Sequence, residues 1–242
     1  MEYRQQLQYL DSLGIRVWVP RDFSLPESKY SQVQVEPAPA NETKAQTSDH
    51  LPVDIASLGW DELRDHALRC TACRLHAERT QAVFGVGNQT ADLMVIGEAP
   101  GADEDQQGEP FVGRAGQLLN EMLYAIGYPR ETVYIANIVK CRPPENRNPQ
   151  HDEALSCAPL LSRQISLIQP KAILAVGKVA AQNLLQTDLP IGKMRGTQYR
   201  YAEQNIPVMV TYHPAYLLRS PREKRKVWQD LVKLRELLSE KS

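Results

Sequence analysis

The sequence predicts an α/β fold with three layers, in which helices cover both faces of a central, mainly parallel sheet of four strands. Short apolar runs rich in β-branched residues, typical of buried strands, alternate with segments in which apolar residues recur at helical spacing. This alternation is characteristic of parallel strands joined by crossover helices. A chain of 242 residues with 42% hydrophobic and 24% charged residues is also long and apolar enough for one sizeable core.

Each predicted element has its own signal. Strands are predicted over 93–97, 133–137, 173–177 and 208–212, where apolar and β-branched residues follow one another. Helices are predicted near 116–126, 151–168, 179–185 and 221–238. In the last of these, four apolar residues recur at helical spacing, namely Val227, Leu231, Leu234 and Leu238.

The carboxyl ends of the four strands carry the most distinctive residues. The strands end in, or are followed by, the segment 97–101, Asn137, Gly177 and His213. In open parallel sheets, ligands bind in the crevice beyond the carboxyl ends of the strands. The polar groups at these ends are therefore expected to converge on one crevice.

The amino-terminal part of the chain has a different composition. Residues 1–24 predict a short helix over 4–13, stopped at Gly14, and an extended piece around 17–19. Residues 25–54 are rich in Pro, Ser, Gln, Glu, Asn and Thr, which is typical of a disordered linker, so the folded domain is expected to span 55–242. Neither a signal peptide nor an apolar run of the roughly 20 residues that a membrane helix needs is found, and a cytoplasmic location is expected.

Charge is unevenly distributed, although the net charge is only −1. Residues 191–226 contain eight basic residues against two acidic ones. This segment is the candidate surface for binding phosphate groups of a nucleic acid. A solvated helix face is an equally good explanation of a short basic run.

The four cysteines form one pattern. Cys70 and Cys73 make a C-x2-C pair, and Cys141 and Cys157 follow with 15 residues between them. In a reducing compartment such a set indicates a four-thiolate metal site rather than disulfides, and it suits zinc as well as an iron–sulfur cluster. Four unrelated buried thiols are the less favoured alternative.

Four ordered motifs carry a resemblance to a known family. They are 97–101 (GEAPG), 108–113 (GEPFVG), 137–143 (NIVKCRP) and 213–219 (HPAYLLR). Together with the four cysteines they resemble the iron–sulfur, or family 4, uracil-DNA glycosylases, from about Cys70 to the carboxyl terminus. The resemblance implies a [4Fe–4S] cluster at the cysteines. It also implies a monofunctional, monomeric enzyme that removes uracil from single- or double-stranded DNA and leaves an abasic site.

Three residues suit this chemistry, because a glycosylase flips its target nucleotide out of the duplex and binds the exposed base. Phe111 offers an aromatic wall on which a base can stack. Asn137 offers a donor and an acceptor that match O4 and N3–H of uracil but not the edge of cytosine, and His213 offers a donor to O2 of the departing uracil. Taken singly, each has an ordinary alternative: a core phenylalanine, an asparagine in a turn, and a surface or core histidine.

The residues around the first motif do not show which group activates the attacking water. Ala99 stands where the best-known uracil-DNA glycosylases have a catalytic aspartate, so the group that activates the attacking water is not identified. Glu98, Glu104 and Asp105 are the nearby carboxylates. Glu98 and Ala99 are assigned to the substrate site, with Glu98 as a catalytic residue beside His213 and Asn137. Glu104 is assigned by resemblance to the pocket wall that excludes the methyl group of thymine. For Asp103 and Asp105, decoration of the first turn of a helix is at least as good an explanation.

The segment Tyr216-Leu217-Leu218-Arg219 resembles the loop that probes the duplex and fills the gap left by the flipped base. Apolar wedges beside a cation suit the unstacking of bases and contact with phosphate. All four residues are therefore expected to contact DNA.

Two other functions compete with this one. The first is a catalytically weak or inactive protein of the same fold that only binds lesions. The second is a metal–thiolate module for electron transfer or for assembly with a polymerase. The amino-terminal extension is a candidate contact for a replication or repair partner. A dinucleotide-binding interpretation of the segment 85–87 is rejected, because its glycines neither follow a strand nor open a helix.

Overall fold

The computed structural model describes residues 54–239, with one six-stranded sheet at the centre. The strands are β1 (Val86–Gly87), β2 (Leu93–Gly97), β3 (Tyr134–Asn137), β4 (Ala172–Val176), β5 (Gln198–Tyr201) and β6 (Ile206–Thr211). They lie in the order β1-β3-β2-β4-β6-β5. The four inner strands are parallel to one another, and the edge strands β1 and β5 pair antiparallel with their neighbours.

The four predicted strands form the parallel centre of this sheet, but the prediction of only four strands is wrong. Every residue of the four inner strands is buried, which explains the continuous apolar runs by which the sequence identifies them. The edge strands lack that signal. β1 has two residues and includes part of the glycine-rich segment 85–87, and β5 is polar and largely exposed.

Residues 54–239 contain eight α-helices. They are α1 (Trp60–Arg69), α2 (Ala102–Gln107), α3 (Arg114–Tyr124), α4 (His151–Ile168), α5 (Lys178–Leu185), α6 (Ile191–Met194), α7 (Pro214–Arg219) and α8 (Lys224–Ser239). The predicted helix 151–168 and strand 93–97 have the observed bounds, and most other ends differ by one or two residues. The predicted helix 221–238 is divided, because a separate 3-10 turn, Pro221–Glu223, precedes α8.

Two apolar clusters lie on opposite faces of the sheet. Side chains alternate along β2, so Met94 and Ile96 belong to one cluster and Leu93 and Val95 to the other. The first cluster contains buried residues of α1, α4 and α5, and the second contains buried residues of α3 and α8. This arrangement confirms the predicted three-layer α/β/α architecture.

The amino-terminal predictions are mostly beyond the part of the chain that is described. The helix predicted over 4–13, the extended piece at 17–19 and the linker positions 25–53 lie outside the described residues. Asp54, the last residue of the predicted linker, accepts a hydrogen bond from the Ala56 N–H at 3.1 Å and caps the 3-10 turn Ile55–Ser57. Among the helices between residues 54 and 239, none is long and apolar enough to cross a membrane.

The register of the inner strands brings their carboxyl ends to one edge of the sheet. Gly97 of β2 lies beside Asn137 of β3, and Val176 of β4 lies beside Thr211 of β6. The segments that follow these strands therefore leave the sheet next to one another, at the edge where ligands bind in open parallel sheets.

Candidate active site

A cleft of about 540 Å³ opens at the carboxyl edge of the sheet. Its walls include eight residues that the sequence predicts as site residues: Glu98, Ala99, Glu104, Phe111, Asn137, His213, Tyr216 and Arg219. The loop after β3 supplies a further wall, which includes Asn146 and Arg147. Four residues are predicted to contact DNA, and all four lie in the described part of the chain. Two of them, Leu217 and Leu218, do not line the cleft.

Gly97 at the end of β2 allows two of these residues to meet. A Cβ atom at this position would lie 2.5 Å from Oδ1 of Asn137 and 2.6 Å from Cζ of Phe111. Both distances are far below van der Waals contact, so any side chain here would push the ring and the amide apart. The glycine of the first motif thus lets an aromatic ring and an amide share the floor of the cleft.

Phe111 is held in an unusual backbone conformation. Its φ of 55° is in the left-handed region, which costs free energy for a residue other than glycine. Arg130 stabilises the turn by donating to the carbonyl oxygens of Pro110 at 2.7 Å and Phe111 at 3.3 Å. The Phe111 ring stacks on the imidazole of His213, with 5.6 Å between ring centroids and 29° between planes.

Substitution of Gly116 in α3 would test whether Phe111 must keep its observed position. A Cβ atom on Gly116 would lie 1.8 Å from the carbonyl oxygen of Phe111. Gly116→Ala should therefore lower the free energy of unfolding by about 1–3 kcal/mol, which urea unfolding would measure, and displace the ring, which an assay of activity at this site would detect. Gly192→Ala is the matched control, because nothing lies within 4 Å of a Cβ there. A Gly116→Ala variant as stable and as active as the wild type would contradict this prediction.

Asn137 carries an unpaired acceptor. The residue is 2% exposed, and its Oδ1 atom is buried with no hydrogen-bond partner among residues 54–239. Leaving a buried acceptor unpaired costs about 1–3 kcal/mol, so such an atom needs an explanation. Because Asn137 lines the cleft, a donor on a bound ligand would satisfy this oxygen.

His213 is oriented by the helix that follows it. As the N-cap of α7, it accepts the Ala215 N–H at Nδ1, with 3.2 Å between the two nitrogens. Nδ1 is therefore the unprotonated nitrogen, and the neutral ring carries its proton on Nε2. Burial, reinforced by the positive charge of Arg219, lowers the pKa of His213 to about 4. The imidazole is thus a neutral donor at physiological pH.

The two glutamates of the cleft differ in their surroundings. Burial raises the pKa of Glu98 to about 7, so a large fraction of this carboxyl is protonated at neutral pH. Glu104 instead accepts three main-chain N–H groups, from Gly101 at 3.0 Å, Val112 at 3.0 Å and Gly113 at 3.3 Å. It joins the start of α2 to the loop that carries Phe111. Exclusion of the thymine methyl group by Glu104 stays a prediction.

The segment 216–219 is divided between surface and core. Tyr216 and Leu218 are 37% and 40% exposed, and Arg219 is exposed on the cleft wall. Leu217 is only 1% exposed and belongs to the core cluster that includes α3 and α8. This side of α7 packs inward in the structure without DNA, and contact between Leu217 and DNA stays a prediction.

A buried ion pair, which sequence reasoning missed, supports the segment before His213. Arg195 donates to Asp230 of α8 at 2.8 Å, and the Thr211 hydroxyl donates to the same carboxylate oxygen at 2.7 Å. The Arg195 guanidinium also lies 4.5 Å from the centre of the Tyr212 ring, which packs against Tyr216. The partners are far apart in sequence, so no local pattern reveals them.

The four cysteines surround a second, small cavity of about 10 Å³. Cys141 and Cys157 are buried, and Cys70 and Cys73 are partly buried. Arg79 donates to Sγ of Cys141 at 2.8 Å, and N–H groups of this kind stabilise anionic sulfur. Within residues 54–239, no three His, Cys, Asp or Glu side chains are placed to hold a single metal ion.

Comparison with known proteins identifies the family. Residues 84–232 match the model of the uracil DNA glycosylase superfamily. The chain is 42% identical over 184 residues to a type-4 uracil-DNA glycosylase of Sulfurisphaera tokodaii, covering 73% of this chain and 84% of the relative. It is 42% identical over 187 residues to the type-4 enzyme of Archaeoglobus fulgidus, covering 75% and 94% respectively. The type-4 enzyme of Saccharolobus solfataricus is 43% identical over 188 residues, covering 75% and 87%. The chain therefore belongs to the uracil DNA glycosylase superfamily.

Proposed function

We propose that this protein is a monofunctional uracil-DNA glycosylase, which hydrolyses the N-glycosidic bond of deoxyuridine in DNA. The names of its relatives describe this activity. The observation that carries the proposal is the unpaired, buried oxygen of Asn137 in a cleft walled by the stacked rings of Phe111 and His213. An acceptor beside an aromatic face suits a flat base that presents an N–H donor.

Recognition of uracil follows from the amide of Asn137. Its Oδ1 accepts from N3–H of uracil, and its amide nitrogen donates to O4. Cytosine has an unprotonated N3 and an amino group at these positions, so both pairs would become mismatched. Because the amide is 2% exposed, water cannot compensate for a mismatch. Buried hydrogen-bonding groups discriminate strongly for this reason.

His213 assists the departure of the base by donating a hydrogen bond. As the bond between C1′ of the deoxyribose and N1 of uracil breaks, negative charge develops on the base. The Nε2–H of His213 donates to O2, where part of this charge lies. A neutral donor already in place stabilises the developing anion without reorganisation. Water then forms the new bond at C1′ and loses a proton, while uracil leaves with the electron pair of the broken bond. The released proton neutralises the uracil anion, and an abasic site with a hydroxyl group at C1′ remains.

We propose that Glu98, in its ionised carboxylate form, orients the attacking water. Its pKa of about 7 means that the protonated, inactive form predominates below neutrality. We therefore expect kcat/KM for uracil release to rise with pH between about 5 and 8 and to level off above. The Glu98→Gln variant should show a low and flat profile over the same range. An unchanged rise in that variant would assign the titration to another group.

We propose that Cys70, Cys73, Cys141 and Cys157 hold a [4Fe–4S] cluster. Four thiols around one cavity, with N–H donors at the sulfurs of Cys141 and Cys157, are a suitable donor set. When bound, the cluster supplies a cross-link between the end of α1, the loop after β3 and α4. Iron and sulfide analysis of anaerobically purified protein should give about four of each per chain. Stoichiometric zinc without iron would contradict the assignment.

DNA is the substrate that the family implies, and its contacts are proposed at the exposed part of α7. Tyr216 and Leu218 present apolar surface, and Arg219 presents a cation on the cleft wall. These side chains suit insertion into the stack and phosphate contact. The monomeric state, the cytoplasmic location, the use of both single- and double-stranded DNA and a partner for the amino-terminal extension stay predictions.

The test of the proposed function is incubation with a labelled oligonucleotide that contains one uracil, followed by alkali. Strand scission at the uracil position, absent from a thymine control, is the expected result. Tight binding without scission would instead support the lesion-binding alternative. Neither binding nor scission would mean that the cleft is misinterpreted.

A further inference from the structure

Lys140 is a fully buried lysine in the loop after β3. It is 1% exposed, and its ammonium group donates to the main-chain carbonyl of Asn137 at 3.0 Å and to Oε1 of Gln164 at 2.6 Å. Lysine is almost never fully buried without a compensating charge, because burial removes the hydration of its ammonium group. Both acceptors are neutral, so its compensation must come from elsewhere.

The cysteine site lies next to this lysine, and the proposed cluster with its four thiolate ligands would supply negative charge there. The Lys140 N–H donates to Sγ of Cys157 at 3.3 Å, and Lys140 directly precedes Cys141. Lys140 also forms part of the wall of the cysteine cavity. One residue thus joins the cysteine site to the backbone of Asn137.

The position of the ammonium group is fixed by α4. Gln164 donates through Nε2 to the carbonyl of Phe84 at 2.9 Å and to the Tyr134 hydroxyl at 3.2 Å, which leaves its Oε1 to face Lys140. Gln164 lies two helical turns after Cys157, on the same face of α4. The helix that supplies a cysteine therefore also supplies the second acceptor for Lys140.

We propose that Lys140 is a positioning residue that couples the four-cysteine centre to uracil recognition. Its ammonium group fixes the backbone of Asn137, and the negative charge of the thiolate centre makes the burial of that ammonium group favourable. The role rests on the proposed function, since it concerns the amide that binds uracil. It gives the metal centre a specific connection to the cleft through one side chain.

The experiment compares Lys140→Met with Lys171→Met in anaerobically purified protein that contains its iron. Lys171 makes a surface ion pair with Asp92 at 3.0 Å at the opposite edge of the sheet, so it is the matched control. Loss of a hydrogen bond from a charged group should lower kcat for uracil release about 10- to 100-fold in Lys140→Met, with KM for the DNA nearly unchanged. Loss of the nearby positive charge should also lower the reduction potential of the iron–sulfur centre. Lys171→Met should change neither quantity.

A second variant, Gln164→Met, keeps the charge and removes only one acceptor. It should leave the reduction potential unchanged and lower kcat several-fold, with KM for the DNA again nearly unchanged. It keeps the proposal testable if Lys140→Met does not retain iron.

An unchanged reduction potential in an iron-loaded Lys140→Met protein, or an unchanged kcat in either variant, would overturn the proposal. If the wild-type protein itself releases no uracil, the proposed function fails. The reduction potential would still decide whether the lysine interacts with the metal centre.

Discussion

Replacing His213 by alanine should lower the single-turnover rate of uracil release by about 10²- to 10³-fold, with little change in the affinity for DNA. The loss follows from the removal of the Nε2–H donor at the atom where negative charge develops. His151→Ala is the control, because that histidine is exposed at the start of α4. A rate within a few-fold of the wild type would remove His213 from the catalytic machinery.

The pH dependence of this loss tests the protonation state of the imidazole. Because the pKa of His213 is lowered to about 4, the ring is neutral throughout the range above about pH 5. The ratio of wild-type to His213→Ala rates should therefore stay constant from about pH 5 to pH 8, while both rates follow the titration of Glu98. A ratio that falls steeply as the pH rises would show that the charged imidazolium is the active form.

The Asn137→Ala variant should lose about 10²-fold or more in kcat/KM for uracil, because the base loses both of its edge-reading hydrogen bonds. Asn183→Ala is the control, since that amide is exposed on α5 and donates to the carbonyl oxygen of Val179 within the same helix. The visible absorbance of the proposed iron–sulfur centre should be the same in both variants. Unchanged uracil release by Asn137→Ala would show that the assignment of the pocket is wrong.

The same variant should not be less stable than the wild type. Alanine removes a buried oxygen that has no partner in the free protein, and an unpaired group of this kind costs about 1–3 kcal/mol. Urea unfolding of the iron-loaded proteins should therefore give an equal or higher free energy for Asn137→Ala. A clear decrease would mean that the amide has a structural role in the absence of DNA.

The sequence predicts the centre of the fold better than its edges. The inner strands are fully buried, and their apolar runs leave a strong signal, whereas the polar strand Gln198–Tyr201 resembles a loop until its pairing with Ile206–Thr211 is seen. The position of the cleft can also be predicted from the sequence, for a topological reason. Residues at the ends of parallel strands are brought to one edge by the topology itself, so Asn137 and His213 can be placed together without coordinates.

The supporting residues could not be predicted in the same way. Arg130 holds the Phe111 turn, Lys140 holds Asn137, and the pair Arg195–Asp230 supports the segment before His213. Each of these contacts is made in three dimensions, and most join residues far apart in sequence. Leu217 is a different case, since the motif predicts DNA contact for all four of its residues 216–219, whereas this side chain faces the core in the structure without DNA.

The most direct test of the central claim is to identify the products formed from a uracil-containing oligonucleotide by mass spectrometry, before any alkali treatment. Hydrolysis by a monofunctional glycosylase predicts free uracil together with an intact strand that has lost the mass of the base and gained a hydroxyl group. Asn137→Ala and His213→Ala should give little of either product over the same time. An unaltered oligonucleotide bound to the wild-type protein, or a strand covalently attached to it, would contradict the account.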